Sequence, residues 1–200
     1  WMSGWSWLYV TGQMVGGSNT LPTQPFASLA SASTITTLRS DLTADLSLSA
    51  STTYLLAGQV HVPSPRTLTI AAGTTIMALP TPVTTGAAPA IIVESGATIA
   101  AAGTLAAPIT MTTFLAESAM SDSSTVTTDS TSGTITLGER GKWGGLILLG
   151  TAPTSAASFT TNYVEGVSGK PYGGTAPPDS SGTLQYGRVW HGGAVIGADN

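Results

Sequence analysis

Four residues have the types needed to cleave a polysaccharide: Glu94, Glu165, Asp179 and Arg188. A glycosidase needs two carboxylates flanking one bond. Each acid here stands alone, with no paired-acid motif. Glu94 lies in a Glu-Ser-Gly-Ala turn, where a polar residue is expected in any case. A lyase would need an Arg or Lys base beside an acidic calcium site. Arg188 and Asp179 could be nominated, but a Gly/Ser turn separates them and nothing in the sequence joins them. His61 alternates with Val60 and Val62 and so faces outward from its strand, while His191 precedes Gly192-Gly193 in a turn. Two lone histidines on different elements read as surface residues rather than metal ligands. Glu117, Asp122, Asp129 and Glu139 fall in one polar stretch, but the spacing of a calcium loop is missing. Gly16-Gly17 and Gly144-Gly145 lack the Lys or the following helix that phosphate binding needs. The expectation is no catalytic residue, no cofactor and no metal.

Composition bounds the setting of these residues. Two hundred residues fit one domain, or one domain with an arm. Only 8% are charged, against about 25% in an average globular chain. The net charge of −4 argues against nucleic acid, whose phosphates need basic patches. No run of 18 apolar residues is present, so no membrane insertion is expected. Few charges and many Ser and Thr hydroxyls give a wet, weakly charged surface, on which association meets little repulsion. Cysteine is absent, which excludes disulfides, thiolate zinc sites and a cysteine nucleophile. The Ser/Thr-rich, Pro-containing composition is that of exported, O-glycosylated material. The opening WMSGWSWLYV has no basic stretch and does not read as a signal peptide, so a processed or partial chain is expected.

The positioning elements are short strands. Leu68-x-Ile70-x-x-Gly73-x-x-Ile76 is echoed by Ile91-x-Val93-x-x-Gly96-x-x-Ile99, 23 residues on. That spacing reads as one coil of a solenoid. Val60-x-Val62-x-x-Pro65-x-x-Leu68 is a looser copy. The period is two, and the intervals are too short for helical crossovers. Trp5, Trp7 and Tyr9 alternate with Ser6, Leu8 and Val10, an aromatic strand ahead of a Pro-containing linker. Residues 1–40 read as arm and linker, and 41–200 as one solenoid domain. Thr125–Thr128 and Thr134–Leu137 flank a turn and predict a hairpin within an insert over 114–142. Trp143 to Leu149 reads as a strand buried on both faces, and Leu184 to Trp190 as a further strand. The expected fold is all-β, a short right-handed parallel β-helix with a projecting hairpin. A jelly-roll or Greek-key sandwich is the alternative.

The phrases YLLAGQVHVPSPRTLTIAAGTTI, AIIVESGATIAAAGTLAAPITMTT, WGGLILLGTAP, VEG, YGG and DSSGTLQYGRVWHGG resemble a family of secreted or cell-surface bacterial proteins. Those proteins are usually described only as lipoproteins or multidomain surface proteins with right-handed parallel β-helix repeats. The resemblance spans residues 54–197 in order, and it implies the fold far more than any activity. Pro65 stands where the family has a coil-closing Gly, and Trp190 where it has an acid. The family also continues with further apolar coils beyond the Asp199-Asn200 position.

The expected function is that of a non-enzymatic extracellular structural protein, a fibre or coat subunit that assembles head to tail with copies of itself. Its assembly surface would be the N-terminal strand, with Trp1, Trp5, Trp7, Leu8, Tyr9 and Val10, added to the free edge of the next copy. The alternatives are a carbohydrate-binding adhesive module contacting glycans through Tyr172 and Trp190, and a polysaccharide-acting enzyme.

Overall fold

The structure is a computed structural model. It describes residues 34–79, 87–114, 125–126, 135–136, 141–155, 162–167 and 169–197. The chain divides into two compact units. One comprises Trp1–Ala27 with Ala116–Glu139, and the other Ser28–Leu115 with Arg140–Asn200. In the first, the described residues are two short strands, β10 (Thr125–Val126) and β11 (Ile135–Thr136), paired antiparallel as the hairpin reading expects. The N-terminal strand, Trp1 to Val10, lies outside the described residues.

The second unit is a parallel β-helix. Its strands follow in order: β1 (Ile35–Leu38), β2 (Leu46–Leu48), β3 (Thr53–Leu56), β4 (Gln59–Val62), β5 (Thr67–Ala71), β6 (Thr75–Ala78), β7 (Ala90–Val93), β8 (Thr98–Ala102), β9 (Ile109–Thr113), β12 (Gly145–Leu148), β13 (Gly182–Gln185) and β14 (Gly187–Val189). They stack into three sheets, β1-β3-β6-β9-β14, β12-β7-β4 and β13-β8-β5-β2. Every pairing within the three sheets is parallel. Each coil visits the three sheets in turn, so the apolar positions of successive coils stack in register. The sandwich alternative is set aside, since a sandwich is built from antiparallel sheets.

The register corrects the reading of the 23-residue spacing. Thr53 pairs with Thr75 and Leu46 with Leu68, a true coil of 22 residues. Val60 pairs with Ile91, an offset of 31, because the next coil carries extra residues between β6 and β7. The two Gly phrases are therefore different corners: Gly73 turns the chain from β5 to β6, and Gly96 from β7 to β8. Both have φ near +80, which is why each corner carries Gly. The Pro65 phrase is the one that stacks on the Gly96 phrase, and the Ser64 side chain lies against Gly96. Leu184 to Trp190 is likewise not one strand. It breaks at Tyr186, with φ 47, where the chain turns from β13 to β14.

Two cores result. Inside the coils, Leu48, Leu56, Val62, Ile70, Ile76, Ile91, Ile99 and Met111 are buried together. Full burial of such a side chain contributes about 1.5–3 kcal/mol. Outside the β12-β7-β4 sheet, Ile92 and Ala90 pack with Leu149 and Val167, and Tyr172 and Ile196 lie against them. β7 is thus buried on both faces. Its outward face is covered by the loops that follow β12.

Candidate functional site

Those covering loops are pinned by the residues that could have done chemistry. His61 and Ile92 are register partners on β4 and β7, so His61 and the turn after β7 share one outer face. There the His61 Nδ1–H donates to Glu94 Oε1 at 2.9 Å. Lys170 Nζ lies 2.8 Å from the same oxygen and 3.1 Å from Oε2. The Glu94 side chain is only 12% exposed, so an opposite charge within contact matters there. The neighbouring Ser95 hydroxyl donates to the Pro171 carbonyl at 2.8 Å and lies 3.3 Å from that of Gly150. Gly173 N–H donates to the Gly150 carbonyl at 2.7 Å, and Gly174 N–H to that of Ala152 at 3.1 Å. The phrases around Gly150 and Gly173 are thereby held on one turn.

Asp179 closes the same layer. Its Oδ1 accepts from the Thr151 hydroxyl at 2.6 Å. Hydrogen bonds from the Thr151 side chain and backbone, and from Ser181, hold its carboxyl below the ordinary value of 3.8, against a small opposing effect of desolvation. A depressed pKa gives stability that is present above the unfolded value and is lost as pH falls through the folded one. Acidification below about 3.8 is therefore expected to lower the denaturation midpoint, and Asp179→Asn to remove that part of the pH dependence. Denaturant titrations of both proteins between pH 6 and the acid range, about where carboxylates titrate, check this.

The sequence-selected residues land in different places. Glu94 and Asp179 hold loops, each with its own partners. Arg188 is on β14, in a different sheet from β13, which Asp179 precedes. Tyr172 is half-buried against the outer core. Trp190 is half-buried as well: its carbonyl accepts from the Trp143 indole at 2.6 Å, and its ring meets that of His191 edge-on. His191 Nδ1 shares a hydrogen bond of 2.8 Å with the Thr112 hydroxyl. Among the described residues, no three His, Asp or Glu side chains are grouped so as to hold a metal ion.

The other distinctive surface is the end of the coil. Inward rows run Tyr54–Ile76–Met111–Val189, Leu48–Ile70–Ala101–Leu184 and Val62–Val93–Leu148. Every member below the last is at most 7% exposed. The last members, Val189, Leu184 and Leu148, are 43%, 44% and 46% exposed. Leu148 thus departs from the expected doubly buried strand, because no described strand pairs with the far edge of β12. The first described coil is mixed: Leu42 is 8% and Leu48 2% exposed, but β1 is exposed over most of its length, Thr36, the partner of Tyr54, included.

A family model, the pectate-lyase-like β-helix domain, matches residues 40–200. The chain belongs to this family. No curated protein and no solved structure matches it. Within this β-helix, sequence reasoning missed the His61–Glu94–Lys170 group. A signal for half of it existed: aligning the Pro65 phrase with the Gly96 phrase sets His61 against Ile92, two residues before Glu94. Lys170 gave none, since it lies in a Gly/Pro loop whose path follows from tertiary contacts.

Proposed function

We propose that the chain is a non-catalytic structural module of the cell surface that assembles end to end with copies of itself, as a fibre or coat subunit. The observation that carries this is a stack of parallel, in-register sheets whose outermost described strands, β1 on one side and β13 and β14 on the other, are wholly or partly exposed. Free strand edges and an apolar end are a template for further β structure. A contact from one end to a different surface of the next copy does not close, and it propagates. The low charge, 8% of residues, leaves little repulsion to oppose it. A structural role also fits the acids, since Glu94 and Asp179 serve as acceptors that hold loops in place.

Leu148→Asp with Leu184→Asp places two charges on β12 and β13 at sites that are already half exposed. The variant is expected to keep the native circular dichroism spectrum and to run as a monomer by light scattering, at concentrations where the parent chain associates. Association equal to that of the parent would reject the reading.

A further inference from the structure

In the second and third coils, the stretch between a strand of the first sheet and a strand of the β13 sheet is itself a strand, β4 and then β7. In the first coil that place, between β1 and β2, is taken by residues 39–45, Arg-Ser-Asp-Leu-Thr-Ala-Asp, which form no strand. They run along the outer edge of β4, the outermost described strand of its sheet. On its β7 side β4 belongs to a regular ladder, which Glu94 N–H continues by donating to the Val62 carbonyl at 3.0 Å. On its other side the backbone of His61 is occupied twice. Its carbonyl accepts from Leu42 N–H at 2.9 Å, and its N–H donates to Asp41 Oδ1 at 3.2 Å. Asp45 repeats the device one corner on. Its Oδ1 accepts from Thr67 N–H at 3.0 Å, one residue before the Leu46–Leu68 pair that opens the β2–β5 ladder. Between the two acids Leu42 turns inward, 8% exposed, and packs in the inner core.

We propose that residues 39–45 are a strap that withholds the β4 edge from strand addition by another chain. An edge is a template for association only while its N–H and C=O groups are unpaired. Here both groups of His61 are taken, and the N–H is taken by a side chain rather than by backbone. A side chain ends a ladder, since it presents no further row of donors and acceptors to an incoming strand. Asp41 and Asp45 are exposed, so that strand would also have to displace a charged acceptor from its hydrogen bond. The strap has three fastenings, Asp41, Leu42 and Asp45, and they reach two sheets. The inference stands apart from the end-to-end reading and narrows it. At this end a neighbouring copy is refused at β4, and β1 and β2 are the other outermost described strands.

The test is amide exchange followed residue by residue by NMR, with light scattering, on the full chain and two variants. Asp41→Ala/Leu42→Ser/Asp45→Ala undoes the three fastenings. Asp41→Asn/Asp45→Asn keeps a carbonyl acceptor at each site and removes the charges. Protection of β7 shows that a variant is folded; if the triple variant loses it, Asp41→Ala/Asp45→Ala takes its place. In dilute solution the His61 and Thr67 amides of the released variant are expected to exchange several-fold faster than those of the parent. At high concentration that variant is expected to associate, with exchange slowed at residues 59–62, while the Asn variant follows the parent in both respects. Association of the parent with residues 59–62 unslowed also supports the strap. A released variant that associates no more than the parent would overturn it, as would a parent chain that pairs at residues 59–62. Association of the Asn variant equal to that of the released one would show that charge, rather than occupied backbone groups, guards the edge, and would overturn the strap as argued.

Discussion

Trp143→Ala is expected to cost the β-helix about 3–5 kcal/mol, the usual range for emptying a buried aromatic site. Trp143 is fully buried in the inner core at the point where the chain re-enters the coils before β12. Its indole N–H donates to the Trp190 carbonyl at 2.6 Å, so the same side chain also fastens the end of β14. Truncation opens a cavity and orphans that carbonyl. Against a typical total of about 5–15 kcal/mol, the loss is a large fraction. For a domain of this size it corresponds to a fall in melting temperature of about 6–20 °C, measurable by calorimetry. Trp143→Phe keeps most of the volume and removes the hydrogen bond, whose net contribution is about 1 kcal/mol. A Phe variant as unstable as the Ala variant would show that the bond, rather than the packing, dominates.

Gly182→Ala is expected to be the most damaging small substitution in the last coil, at about 2–4 kcal/mol. Gly182 has φ +121, a conformation that side-chain-bearing residues rarely adopt, and an added Cβ would run into the Ile99 carbonyl oxygen of β8. Neither atom can move without breaking the β8–β13 ladder. β13 is an edge strand exposed along its whole length, so it is expected to peel away rather than shift the core. Gly145→Ala is the control. Gly145 has φ +94 but nothing within 4 Å of its Cβ position, so it reports backbone strain alone. Denaturant midpoints should place Gly182→Ala well below Gly145→Ala; equal midpoints would mean that the contact with Ile99 is relieved without cost.

The fold was legible where local chemistry decides it. Alternation at Val60-x-Val62, Leu68-x-Ile70 and Ile91-x-Val93 named strands, and Gly73 and Gly96 named corners. The coil length was not legible, because one corner looks like another. A Gly with positive φ after an apolar pair closes β5 and β7 alike, and only the pairing of Val60 with Ile91 shows which phrases stack. Tyr186 hid a corner for a related reason: a non-glycine residue occupies a left-handed conformation there, and apolar residues continue on both sides. The loop layer was largely invisible. Glu94 and Lys170 are far apart in sequence, and they meet only because the loop after β12 folds back over β7. The exposure of Leu148 and Leu184 followed from register alone, since both look like core residues in sequence and differ only in that no described strand pairs with their far edge.

The claim that copies of the chain assemble end to end is tested most directly by sedimentation of the full 20.1 kDa chain over a wide concentration range. The account predicts a mass that rises with concentration beyond the dimer, as an unclosed end-to-end contact requires. A single species at the monomer mass at every concentration would contradict it.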